Sequence, residues 1–354
     1  MENNMFCFQC QETAKGTGCV LKGVCGKSAF TARNMDLLLF VVRGIAVAAD
    51  SLRQHNVDPG KETDTFVTDA LFSTITNANF DDESIMRRID RGLEMRDALK
   101  ARAEAEGIAL PGADELEWTG TRADYDVKAA TVGVLREENE DLRSLKELVM
   151  YGLKGMAAYL EHAMRLGYDD AEIHAFMQNA LALTTVGNLT ADELTALVMK
   201  TGEVGVRTMA LLDKANTATY GNPEATNVNI GVRNRPGILI SGHDLHDLEE
   251  LLEQTKDTGI DIYTHGEMLP AHYYTTTPLS RNTLTLQETT ATPGGNSAKN
   301  SLRSTDRYSL PPTALCRPCP ALPTRRGCSP QTPPASPVAG ISKQEPTGER
   351  ISHP

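Results

Sequence analysis

Residues 237–268 read "GILISGHDLHDLEELLEQTKDTGIDIYTHGEM". "GILISG" is a short apolar run that reads as a strand. "HDLHDLEELLEQTKDTG" reads as a helix closing at Gly259, and "IDIYTHG" as a second strand. Strand, helix and strand in about thirty residues make a βαβ unit, and so the start of a parallel sheet. In such sheets the groups just past the carboxyl ends of the strands face the ligand crevice. Here those groups are His243 after the first strand, and His265 and Glu267 after the second. The G-x-G-x-x-G run of a dinucleotide site is missing, so this unit carries no nucleotide fingerprint.

Upstream of this unit the hydrophobic period is helical. Asn34 to Leu52 reads as a buried helix, with Leu37, Leu38, Val41, Ile45 and Val47 on its apolar side. "DESIMRRIDRGLEMRDALKARAEAEG" reads as an amphipathic helix ending near Gly107. "PGADELEWTGTRADYD" reads as a loop carrying the only tryptophan, Trp118. "ENEDLRSLKELVMYGLKGMAAYLEHAMRLG" predicts one long helix or two short ones. Two more helical stretches follow, with Asp169 and Thr190 at positions suited to N-caps. Arg43, Trp118 and Tyr220 read as structural.

Downstream the composition changes. The chain has 354 residues and a net charge of −12, yet residues 275–354 carry nine Lys/Arg against four Asp/Glu. Thirteen of the eighteen prolines also fall there. Such a segment buries too little apolar surface to offset its ordering entropy, which predicts disorder over 275–354. The acidic balance of the rest argues against a nucleic-acid partner. No apolar run approaches the roughly 20 residues of a membrane span, and "MENNMF" does not open like a secretory signal, so a cytoplasmic chain is expected.

In that compartment, clustered cysteines read as metal ligands before disulfides. Four of the seven, Cys7, Cys10, Cys19 and Cys25, lie in "CFQCQETAKGTGCVLKGVC" with the spacing C-x2-C-x8-C-x5-C. Zinc and an iron–sulfur cluster both use four thiolates. The C-x5-C pair fits a zinc knuckle poorly, whereas a cubane tolerates irregular loops. Glycines at 16, 18, 23 and 26 would let backbone N–H groups approach cluster sulfurs, and Lys15, Lys22 and Lys27 would offset negative charge. On spacing alone, iron–sulfur, zinc and four unrelated buried thiols all stay open.

"MFCFQCQETAKGTGCVLKGVCGK" (5–27) resembles the opening of the hybrid-cluster, or prismane, proteins known as hydroxylamine reductases. The likeness continues through "DLLLFVVRGIA", "LFSTITNANFDD", "ENEDLRSLKELVMYGLKGMAAYLEHA", "TATYGNPEATNVNIGVRNRPGILISGHDL" and "YTHGEMLPAHYY" and covers residues 5–274. The resemblance implies a [4Fe–4S] cluster on Cys7, Cys10, Cys19 and Cys25. It also implies a hybrid [4Fe-2O-2S] cluster, for which His243 and Glu267 would supply two ligands and be the catalytic centre's residues in this chain. His265 is a possible proton donor beside that centre, with a structural role set against it. The implied reaction takes hydroxylamine, two electrons and two protons to ammonia and water. The implied partners are an electron-donor redox protein, for which the acidic surface suggests a basic docking patch, and a small N–O substrate.

The family pattern needs four further cysteines and a second glutamate downstream, and the tail does not supply them. Cys316, Cys319 and Cys328 echo the first three N-terminal spacings without a fourth partner. Codons able to encode Gln287–Asn296 also allow, one frame away, a stretch resembling the family's continuation. The same offset hides a cysteine across Thr313 and Ala314. The tail therefore reads as out of frame after a slip near Tyr274. The expected organisation is a cluster-binding segment (1–30), an α-helical domain (31–222), the first βαβ unit of a truncated Rossmann-like α/β domain (223–274) and the foreign tail (275–354). Little or no hydroxylamine reduction is expected of such a chain. The alternatives are a non-catalytic [4Fe–4S] electron-transfer fragment and an unstable pseudogene product.

Overall fold

The computed structural model describes residues 5–10, 12–75, 79–229, 231, 233–274 and the backbone of 284–286. Helices dominate. In chain order they are α1 (Ala29–Gln54), α2 (Lys61–Ile75), α3 (Asp82–Ala105), α4 (Asp114–Glu117), α5 (Tyr125–Val132), α6 (Glu140–Arg165), α7 (Ala171–Thr184) and α8 (Ala191–Tyr220). Strand β1 (Gly237–Ser241), helix α9 (Leu245–Thr255), strand β2 (Asp261–His265) and strand β3 (Leu284–Leu286) complete them. A mainly α region followed by a parallel sheet is the fold class that the hydrophobic periods predict.

Helix α1 is apolar almost all round and is accordingly enclosed, with α2, α3, α4, α5 and α7 packed around it. Gly44 lets that packing close, because a Cβ there would lie 2.2 Å from the Glu115 carbonyl oxygen. Met5, Cys7 and Cys19 belong to the same buried cluster as the helices, so the cysteine segment is built into the helical core. The long stretch from Glu138 forms one helix, α6, whose N-cap Asn139 accepts from Asp141 N–H (3.0 Å) and Leu142 N–H (3.2 Å).

Thr190 caps α8 with Glu193 in a reciprocal capping box. At α7 the cap is Asp170 rather than Asp169, because Asp169 turns its carboxylate to His174 Nε2 at 2.8 Å. The Trp118 loop contains the single turn α4, and Trp118 packs edge-on to Phe40 with ring centroids 6.1 Å apart. Helix α9 stops at Thr255, four residues short of Gly259, and Asp257 (φ 61°) and Gly259 (φ 75°) make the turn into β2.

Strands β1 and β2 pair in parallel from Gly237↔Asp261 to Ser241↔His265. Leu245, Leu248 and Leu252 of α9 cover the sheet in a second core with Ile240, Ile262, Met268, Tyr220 and Tyr274. Strand β3 pairs in parallel with β2 from Ile262↔Leu284 to Thr264↔Leu286. The open edge of β2 offers unpaired backbone groups that any extended segment can satisfy. The remainder of 275–354, including Cys316, Cys319 and Cys328, lies outside the described residues. Among the described residues no helix is long and apolar enough to cross a membrane.

Candidate metal centres

The four N-terminal cysteines come together in one loop system. Cys7 and Cys19 pair as an antiparallel bridge, Cys7 N–H donating to Cys19 O (3.0 Å) and Cys19 N–H to Cys7 O (2.9 Å). Cys10 lies close enough to Cys7 and Cys25 for their charges to interact. The loop between Cys19 and Cys25 is tightly drawn. A Cβ on Gly23 would sit 3.1 Å from Cys25 Sγ, and one on Gly18 would sit 2.5 Å from the Phe6 ring. Gly18 also holds φ 118°, which L side chains disfavour.

The donors around the sulfurs suit an anionic cluster. Cys19 Sγ accepts from Ala14 N–H at 3.4 Å and from the Thr13 hydroxyl at 3.7 Å. Burial would raise the Cys19 thiol, but these donors and the Val24 N–H outweigh it, and its pKa is lowered. Burial dominates at Cys7, whose thiol is pushed up to about 11, and it also raises Cys10.

Charge compensation comes from an unexpected place. Lys15 and Lys22 are exposed to water, whereas Lys27 is buried and its charge interacts with Cys25, Cys7 and Cys10. The second buried cation is Lys154 of α6, 1% exposed, which donates to Gln9 O at 3.2 Å and to Gln9 Oε1. Gln9 Nε2 donates in turn to the buried carboxylate of Asp36 on α1. Burial holds Lys154 down to about 8, against the pull of Glu147, Asp36, Cys7 and Cys10. Burial lifts Asp36 to about 7, opposed by Lys154 and Gln9. Sequence reading missed Gln9, Asp36 and Lys154. The one available signal was a charged residue inside each of two otherwise apolar helix faces.

The second candidate site lies at the strand ends. His243 follows β1 and Glu267 opens the 3-10 turn Gly266–Tyr273 after β2, and both are exposed. They are neighbours. Partial desolvation lowers the His243 pKa, Glu267 opposes that shift, and His162 adds to it. His265 is turned inward, 9% exposed, with Nδ1 2.9 Å from Ser241 Oγ across the strand pair.

Asp244 fixes the residue beside His243. Its Oδ1 caps α9 by accepting from His246 N–H (2.9 Å), while its Oδ2 accepts from Arg165 Nη1 (2.8 Å). Glu161, His162 and Asp244 could hold a cation on distance alone. The Arg165 guanidinium already fills that role, with Nε on Glu161 at 2.6 Å and Nη1 on Asp244. His162 and Arg165 were not singled out from sequence, since nothing local ties α6 to a strand about eighty residues later.

The Prismane/CO dehydrogenase family profile matches residues 5–301, running past the Tyr274 limit of the resemblance read from sequence. A hydroxylamine reductase of Bacteroides thetaiotaomicron is 61% identical over 272 residues, covering 77% of this chain and 49% of that protein. One from Desulfitobacterium hafniense is 59% identical over 274 residues, covering 77% and 50%. One from Clostridium botulinum is 52% identical over 297 residues. The chain thus spans about half the length of these curated relatives. A solved Ni-free carbon monoxide dehydrogenase from Thermococcus sp. AM4 aligns at 15% identity and a TM-score of 0.25, covering 80% of this chain and 43% of that one, too low to support a fold argument. On the extent of the profile match and the identity of these relatives, the chain belongs to the Prismane/CO dehydrogenase family.

Proposed function

We propose that the chain is the N-terminal part of a cytoplasmic hydroxylamine reductase-type iron–sulfur oxidoreductase. Cys7, Cys10, Cys19 and Cys25 hold a [4Fe–4S] cluster, and His243 and Glu267 are two ligands of a hybrid [4Fe-2O-2S] centre whose other ligands this chain lacks. The organisation into 1–30, 31–222, 223–274 and a foreign 275–354 belongs to the same reading. The observation that carries it is the cysteine loop, with Cys7 and Cys19 buried, N–H donors on Cys19 Sγ and two buried lysines beside it.

When bound, the cubane supplies one-electron transfer and the hybrid centre supplies reduction of the N–O bond. The residues of the chain do the rest. The cysteine loop carries the four sulfurs, Lys27 and Lys154 offset their charge, and the core excludes water from Cys7 and Cys19. His243 and Glu267 offer one nitrogen and one oxygen donor on an open surface. Two donors do not retain a multi-iron centre, so hydroxylamine reduction by this chain is negligible. The complete reaction, hydroxylamine plus two electrons and two protons to ammonia and water, needs the missing half.

Anaerobic reconstitution with iron and sulfide tests this. About four irons and matching acid-labile sulfide per chain are expected. About eight would overturn the truncation, and one zinc with no visible charge-transfer band would overturn the iron–sulfur assignment. No metal at all would leave the unstable pseudogene product. Resequencing the codons for Tyr273–Pro278 tests the frame slip, and an uninterrupted frame in the genome would remove it as a natural lesion.

A further inference from the structure

The stretch from Thr13 to Met35 contains Lys15, Lys22, Lys27 and Arg33 and no carboxylate, in a chain whose net charge is −12. Lys27 is buried, and Arg33 is held by Asp126 at 2.7 Å. Lys15 and Lys22 are exposed and form no ion pair among the described residues. Between them stand three exposed aliphatic side chains, Val20 (55%), Leu21 (77%) and Val24 (51%). The loop that carries them is pinned. Cys19 is bridged to Cys7, Gly23 N–H donates to Lys27 O (2.9 Å), and Gly26 N–H to Gly23 O (2.8 Å). A pinned loop that shows apolar side chains to water leaves them no interior to fold into. Neighbouring exposed apolar side chains that cannot fold inward are a candidate interaction surface.

The position of the patch matters as much as its composition. Val24 presents its side chain to solvent while its N–H bonds Cys19 Sγ, and its neighbour Cys25 is a proposed ligand. A protein resting on Val20, Leu21 and Val24 is therefore within one residue of the sulfurs, and electron transfer between proteins requires such short separations. Along residues 12–35 the four cations outnumber the one carboxylate, Glu12, in a chain that is acidic as a whole, which favours a partner negative at its contact face.

We infer that the Lys15–Val24 loop is the docking surface for a small acidic iron–sulfur carrier protein, which meets the aliphatic residues with an apolar centre and Lys15 and Lys22 with a carboxylate rim. This replaces the basic-patch donor suggested by overall charge, because docking is decided by the field at the contact rather than by net charge. It rests on the [4Fe–4S] reading above.

The test is stopped-flow reduction of the reconstituted chain by a reduced, acidic [2Fe–2S] ferredoxin, with dithionite as a small reductant that needs no docking. The wild-type rate constant with ferredoxin should fall at least tenfold between 20 mM and 500 mM salt. Lys15→Glu/Lys22→Glu should lower it at least tenfold at low salt and abolish the salt dependence. Leu21→Ser should lower it about threefold, and dithionite reduction and iron content should not change in either variant. Equal ferredoxin rates in wild type and the charge-reversed variant overturn the inference. A shift from dimer to monomer in Leu21→Ser with an unchanged ferredoxin rate also overturns it, since the surface would then join two copies. A chain that reconstitutes no iron refutes the iron–sulfur reading itself, whereas a dithionite-reducible cluster indifferent to these variants refutes only the docking surface.

Discussion

The cysteine loop and the strand ends treat their polar groups in opposite ways. Around the cysteines the charges are interior: Lys154 and Lys27 are almost fully enclosed, and Asp36 is reached through Gln9. At the strand ends His243 and Glu267 are exposed, and only Asp244 behind them is firmly held, by Arg165 and the α9 amides. Charges are costly to bury unless paired or matched to a bound ion. The first region carries that cost, which a bound anionic cluster would offset under the proposal above. The second carries almost none.

The largest effect that would break this contrast is at the sulfurs. Cys10→Ser should reduce iron per chain after reconstitution from about four to below about one, measured with acid-labile sulfide. A variant that kept full iron would make the loop a structural thiol cluster.

Next is the buried carboxylate. Asp36 sits at about 7 in the folded chain against an ordinary 3.8, so the folded form holds a proton that the unfolded form releases. Its contribution favours the folded chain at low pH and is lost as pH rises from about 4 through about 7, by up to about 4 kcal/mol at 1.36 kcal/mol per unit. Asp36→Asn should flatten that slope in urea titrations of the metal-free chain. An unchanged slope would mean that the interior charges near the loop are not desolvated as the structure places them.

Smaller effects separate the two halves of the strand-end site. Asp244→Ala removes the α9 cap and the Arg165 partner and should cost about 1–2 kcal/mol. Hydrogen exchange should quicken in Leu245–Thr255 and leave α1 untouched. Glu267→Gln, on an exposed carboxylate, should stay within about 0.5 kcal/mol. A large loss there would show that Glu267 is already part of a packed site.

Much of this was legible one residue at a time. The cysteine spacing, the switch from helical to strand period near Gly237, and the Thr190 cap are local patterns, and local patterns survive in a linear string. The Asp169 assignment failed because two adjacent aspartates compete for one cap, and the choice was made by His174 in the packed structure. Lys15 and Lys22 looked like cluster counter-ions because they are near in sequence, yet the enclosed cation beside Gln9 is 145 residues away.

The order of residues by itself determined that four thiols share one loop, that an apolar helix follows them, and that a βαβ unit begins at Gly237. These follow from spacing and hydrophobic period, which neighbouring residues define alone. Only the tertiary structure decided which charges stand beside the sulfurs, which lysines face water, and that Arg165 secures the residue next to His243. Those outcomes depend on burial and distance between segments far apart along the chain, and electrostatic free energy in a low-dielectric interior is set by those distances rather than by composition.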